Sequence, residues 1–170
     1  MRTEQTMPGS HATPPFRRFL VAVLPVVAVA VAGSLVTSPN IPGWYAGLEK
    51  PGFTPPNWAF PVAWTLLYAL MAFSLWRILS LPQDLPGRSG AIVAFFVQLA
   101  LNSLWSFAFF GAHSPIAGLA VIAALNVAIL ATIRAFWPLD RPAALLLVPY
   151  LAWVLFATAL NGAVWQLNGS

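Results

Sequence analysis

Of the 170 residues, 59% are hydrophobic and only 7% charged, with a mean hydropathy of +0.79. A water-soluble domain carries about 25% charged residues, so water is excluded as the solvent for most of this chain. The net charge of +4 comes from eight basic residues set singly or in pairs at the edges of apolar runs, the pattern of membrane anchors and not of a nucleic-acid surface.

Residues 1–18 are rich in Pro, Ser and Thr and show no periodic apolar face, which predicts a disordered tail. An apolar run follows Arg17 and Arg18. At about 18 residues it exceeds the usual 7 to 15 of a cleavable signal, so it reads as a first membrane helix over 19–38, kinked at Pro25 and ended by Pro39 and Pro42. Residues 39–57 form a stiff connection, where Pro51, Pro55 and Pro56 fix φ and remove backbone donors. This segment reads as a lid, with Trp44 and the sole lysine, Lys50, beside the prolines. A second helix is expected over 58–79 and a third over 89–110, joined by the polar connector QDLPGRSG. The break GAHSP is so short that the fourth helix, 115–136, must run antiparallel to the third, with Ser114 as cap and Pro115 at the first helical position. WPLDRP closes it, and a fifth helix is expected over 141–166.

The fold class predicted is an all-α integral membrane protein, a single bundle of five transmembrane helices over 19–167. Arg2, Arg17, Arg18, Arg77, Arg88, Arg134 and Arg141 fall on one side of such a bundle and Lys50 on the other. That bias predicts a multi-pass protein with its N-terminus cytoplasmic and its C-terminus outside, if it sits in an inner membrane. The lid would then face outward.

No Asp, Glu or Lys falls near a predicted mid-membrane position, which argues against ion-coupled transport. The two histidines, His11 and His113, lie in the tail and in a turn without a nearby carboxylate, and there is no cysteine, so neither a serine triad nor a metal site is expected. His113 reads as an interfacial turn residue. In the third helix Gln98, Asn102, Trp105 and Phe109 share one stripe at helical spacing. Either the stripe lines a cavity or its amides link helices. Tyr150, Trp153, Ala157 and Asn161 repeat the spacing in the fifth helix, and Trp64 and Tyr68 stand one turn apart in the second. Indoles along inward faces can wall a flat cavity that stacks on a planar ring. Ala120, Ala124 and Ala128, four residues apart in the fourth helix, suit close helix packing or a homodimer contact.

Three runs carry a resemblance: WYAGLEKPGFTPPNWAFPVAWTLLY, QLALNSLWSFAFFG and VPYLAWVLFATALN, in this order on the second, third and fifth apolar segments. Together they resemble the TspO/MBR family, in its bacterial type, over about residues 20 to 167. The resemblance implies a five-helix bundle, commonly a homodimer, whose pocket under the first loop binds porphyrins such as protoporphyrin IX. By motif, Trp64 and Trp153 correspond to the pocket tryptophans, and Tyr45 and Asn102 also reach the ligand. Trp105 sits where the family varies. The expected function is a membrane receptor or sensor of tetrapyrroles, with Tyr45, Trp64, Tyr68, Gln98, Asn102, Trp105, Phe109, Tyr150, Trp153 and Ala157 as the ligand-binding set. Alternatives are light- and oxygen-dependent porphyrin breakdown, with Trp64 and Trp153 as the catalytic pair, and facilitated transport. Neither histidine is placed to ligate iron in that pocket, which favours metal-free porphyrin and no resident cofactor. The sterol-recognition pattern of mammalian members needs a tyrosine and a base, and LNGAVWQLNGS at the end of the fifth helix has neither. Lys50 could meet a propionate or serve as an interfacial anchor.

Overall fold

The structure, a computed structural model, describes residues 14–169. Residues 1–13, and with them most of the expected tail, lie outside the described residues. The first helix nevertheless starts earlier than expected: α1 spans Pro15–Thr37, with Pro15 in its first turn, where a missing N–H costs nothing. Arg18 belongs to this helix and reaches the carbonyl of Ser80.

Pro39 and Pro42 do not end α1. The chain tightens into a 3₁₀ turn, Ser38–Asn40, and widens into a π turn, Ile41–Tyr45, so the helical path runs through what was expected to be the start of the loop. Each proline sits in the first turn of a new winding, where its missing donor is tolerated. The Val36 carbonyl accepts from the Asn40 side chain at 2.8 Å. The irregular connection therefore begins near residue 48.

The remaining elements are α2 (Ala59–Ser80), α3 (Arg88–Ser106, followed by a π turn at Phe107–Gly111), α4 (Pro115–Phe136), α5 (Arg141–Leu145) and α6 (Val148–Asn168). Ser114 caps α4 by accepting from the Ala117 N–H at 3.2 Å. The single helix expected over 141–166 is broken in two. Pro149 cannot donate to the preceding turn, and the N–H groups of Leu146 and Leu147 bond to Pro142 and Ala144 instead. Asp140 caps α5 by accepting from the Ala143 N–H at 2.9 Å. Among the described residues five helical spans are long and apolar enough to cross a membrane, α5 and α6 together making the fifth.

The bundle has two unlike ends. At one, Arg77 makes a paired contact with Asp140 at 2.9 and 3.2 Å, and Arg88 donates to the carbonyls of Ile78 and Leu79. Both guanidinium groups thus sit at the C-terminus of α2, where unsatisfied carbonyls favour cations. The half of the bundle beneath is densely filled, with Met71, Leu75, Phe95, Ile129, Phe136 and Leu147 fully buried. Over its whole length α2 packs closely on α1 but only lightly on α3 and α6. At the other end α1 offers small side chains, Ala30, Gly33 and Ser34, and α6 offers Ala157. The interior at that end is not filled.

Candidate functional site

The unfilled space is a cavity of about 290 Å³ between α1, α2, α3 and α6. Three indoles, those of Trp64, Trp105 and Trp153, stand in its wall with Tyr45, Tyr68, Phe60 and Phe109. The rings hold one another in place. Trp64 stacks on Tyr68 with centroids 5.3 Å apart and meets Tyr150 edge-on at 6.3 Å, Trp105 stacks on Phe109 at 5.4 Å, and Phe60 meets Trp153 edge-on at 6.0 Å.

Two asparagines supply the polar side of the wall, and each ties helices together. Asn102 accepts from the Tyr68 hydroxyl at 2.9 Å and donates to the Tyr150 hydroxyl at 3.1 Å, joining α2, α3 and α6. Asn161 accepts from the Trp105 indole N–H at 3.2 Å and donates to the Pro115 carbonyl at 2.7 Å, joining α3, α4 and α6. The two readings of the α3 stripe, cavity lining and helix linking, are therefore both met by Asn102. No Asp, Glu, Lys, Arg or His lines the cavity among the described residues, and no cluster of metal-ligating side chains occurs among them. Such a wall can stack on and hydrogen-bond a flat apolar molecule.

The sequence profile of the TspO/MBR family matches residues 21–166. The chain belongs to that family. The chain is 46% identical over 151 residues to the tryptophan-rich protein TspO of Archaeoglobus fulgidus, covering 89% of this chain and 97% of that one. It is 42% identical over 144 residues to protein CrtK of Rhodobacter capsulatus, covering 84% and 89%. The translocator protein of Homo sapiens is 37% identical over 129 residues, covering 74% and 75%. As a TspO/MBR protein with five apolar spans, the chain is an integral, multi-pass membrane protein.

Within this TspO/MBR fold the residues singled out from sequence divide into two groups. Tyr45, Trp64, Tyr68, Asn102, Trp105, Phe109, Trp153 and Ala157 line the cavity. Gln98 does not: it is fully buried one turn below Asn102, and its amide makes no hydrogen bond among the described residues. Tyr150 is also fully buried behind the wall and acts through Asn102. The stripe was right in facing inward; helical periodicity fixes the face but not the depth at which the cavity ends.

The lid is built differently from the sequence expectation. Pro51, Pro55 and Pro56 do not line the cavity, whereas Asn57, Phe60 and Pro61 do. Lys50 does not reach it either. Its ammonium donates to the carbonyls of Leu48 at 2.8 Å and Ala46 at 3.3 Å and lies 4.8 Å over the Tyr45 ring, so it closes the end of the first span. Trp44 turns away from the cavity and stacks on His113 at 4.8 Å. His113, at φ +52°, donates its Nε2–H to the Asn40 amide oxygen at 2.7 Å, which pins the 3₁₀ turn to the α3–α4 connection. Asn168 exchanges two hydrogen bonds with the Glu49 backbone, both at 2.9 Å, and ties the loop to the end of α6.

Sequence reasoning missed the contribution of α1. Ala30, Gly33, Ser34, Thr37 and Ile41 line the cavity at i, i+3, i+4, i+7 and i+11, a signal present in the sequence as a stripe of small residues. Ser106, Phe110, Leu160 and Val164 were missed as well, whereas Asn161, on the stripe expected in the fifth helix, stands in the wall.

Proposed function

We propose that the protein is a tetrapyrrole receptor of the membrane, holding a metal-free porphyrin between the indoles of Trp64 and Trp153. The observation that carries this reading is a cavity walled by three indoles and two helix-linking asparagines, with no charged side chain in the wall among the described residues. At about 290 Å³ the space lies at the lower edge of the ~300–1,000 Å³ usual for small-molecule sites. The macrocycle therefore enters in part, and its carboxylates stay at the open mouth, since burying them without a cation is costly. Among the described residues no histidine faces the space, which suits a porphyrin without iron.

The cavity end is tied to the loop carrying Glu49 and Lys50, and the described arginines gather at the other end. By the positive-inside bias the mouth faces away from the cytoplasm in an inner membrane. A homodimer is part of the proposal, supported by Ala120 and Ala124, which lie on the exposed face of α4 and not in the bundle.

Titration of the purified protein with protoporphyrin IX, followed by tryptophan quenching, tests the proposal. Two aromatic contacts at about 0.5–1.5 kcal/mol each give a weakening of roughly 5- to 150-fold in the Trp64→Ala, Trp153→Ala double variant. Unchanged affinity in that variant refutes the assignment.

A further inference from the structure

A second concavity runs along the outside of the bundle between α1 and α2. It is a groove of about 720 Å³, lined on α1 by Phe19, Val23 and Val27 and on α2 by Ala69, Phe73 and Trp76. Apart from the hydroxyls of Thr65 and Tyr68 and the Trp76 indole N–H, its wall is hydrocarbon and aromatic ring. From Phe19 to Ala30 it follows α1 for about 16 Å at 1.5 Å per residue, close to half of the ~30 Å hydrocarbon core. Its length is thus that of one leaflet.

The groove also has a charged head. It begins beside Arg17 and Arg18, and Arg18 crosses to the carbonyl of Ser80, one turn beyond Trp76, at 3.4 Å. The Nε of Arg18 is buried without a hydrogen-bond partner, and neither arginine makes an ion pair among the described residues. A guanidinium N–H withdrawn from water needs an acceptor. Apolar wall, leaflet length and unpaired cations coincide at one place.

We propose that this groove binds one acyl chain of an anionic phospholipid, whose phosphate is held by Arg17 and Arg18. The chain end reaches Ala30 and Tyr68, which also line the inner cavity, so the lipid forms the outer side of that wall. The proposal does not depend on what the inner cavity takes.

The test uses the full chain in phosphatidylcholine nanodiscs with brominated-chain phosphatidylglycerol as a minor component, and reads tryptophan emission without any porphyrin. Emission should fall with brominated phosphatidylglycerol, and this loss should vanish in Trp76→Phe. Brominated phosphatidylcholine at the same fraction should cause little loss. Replacing both arginines by Gln should raise the half-effective fraction by about 25-fold, about five-fold for each basic residue. Ala69→Phe, which fills the groove from an exposed position on α2, should abolish the effect while the thermal transition is kept. Equal quenching by the two brominated lipids, persistence of the effect in Ala69→Phe, or displacement of the lipid by inorganic phosphate would overturn the proposal.

Discussion

Gly118 shows how single side chains set this site. A Cβ placed there would lie 2.9 Å from the Asn161 amide oxygen and 2.9 Å from the Phe109 ring, both in the cavity wall. Gly118→Ala must therefore displace one of them, and it should weaken ligand binding several-fold more than it lowers the thermal transition. Binding titration and melting of the same preparation check this. Gln98 makes the opposite case. With neither amide atom bonded among the described residues, it gains nothing from its polarity, and Gln98→Leu should stabilise the protein by about 1 kcal/mol. Denaturation in detergent measures it; a loss of stability contradicts the unpaired state. Gln98 also marks a limit of sequence reading. Spacing put it on the inward face with Asn102, but only the packing of the neighbouring helices decides that Asn102 meets open space and Gln98 meets solid core.

Among the elements, the junction of α4, α5 and α2 carries a charge dependence. Burial tends to raise the Asp140 carboxyl pKa, but the bonds from Arg77 and from the Ala143 N–H, with the Arg77 charge, outweigh it and hold the group below the ordinary carboxylate value. A depressed folded-state pKa gives stability that is present above the unfolded value of about 3.9 and is lost as pH falls through the folded one. The protein should therefore lose stability at pH below about 4, and Asp140→Ala should flatten that loss. At neutral pH the same variant gives up the α5 cap and both Arg77 bonds, at about 2 kcal/mol in total. Melting curves from pH 3 to 7 on both proteins test the pair of expectations. The helices themselves were largely legible: α4 matches its expected bounds, and α2 and α3 differ by a residue at their ends apart from the closing π turn. What failed were the end of the first helix and the continuity of the last. Pro39 and Pro42 were absorbed into tighter and wider turns because each stands in the first turn of a new winding, where its missing donor is tolerated, while Pro149 split the last span.

For the whole molecule, the proposed orientation rests on the separation of charge between the two ends of the bundle. The chain lacks cysteine, so single thiols can be placed at will. A Cβ at Gly52 or at Gly90 meets open space, and these glycines lie at opposite ends. An impermeant maleimide added to intact cells should label Gly52→Cys and spare Gly90→Cys; the reverse pattern overturns the proposed orientation. By itself the sequence determined the solvent, the number of spans, the inward faces and the family motifs, because composition, periodicity and charge-free run length are local properties of the chain. Only the tertiary structure decided that one half of the bundle is solid and the other hollow. That difference depends on how closely α2 approaches α3 and α6 and on which small side chains of α1 face the gap. These are relations between segments far apart in sequence, and no single run of residues carries them.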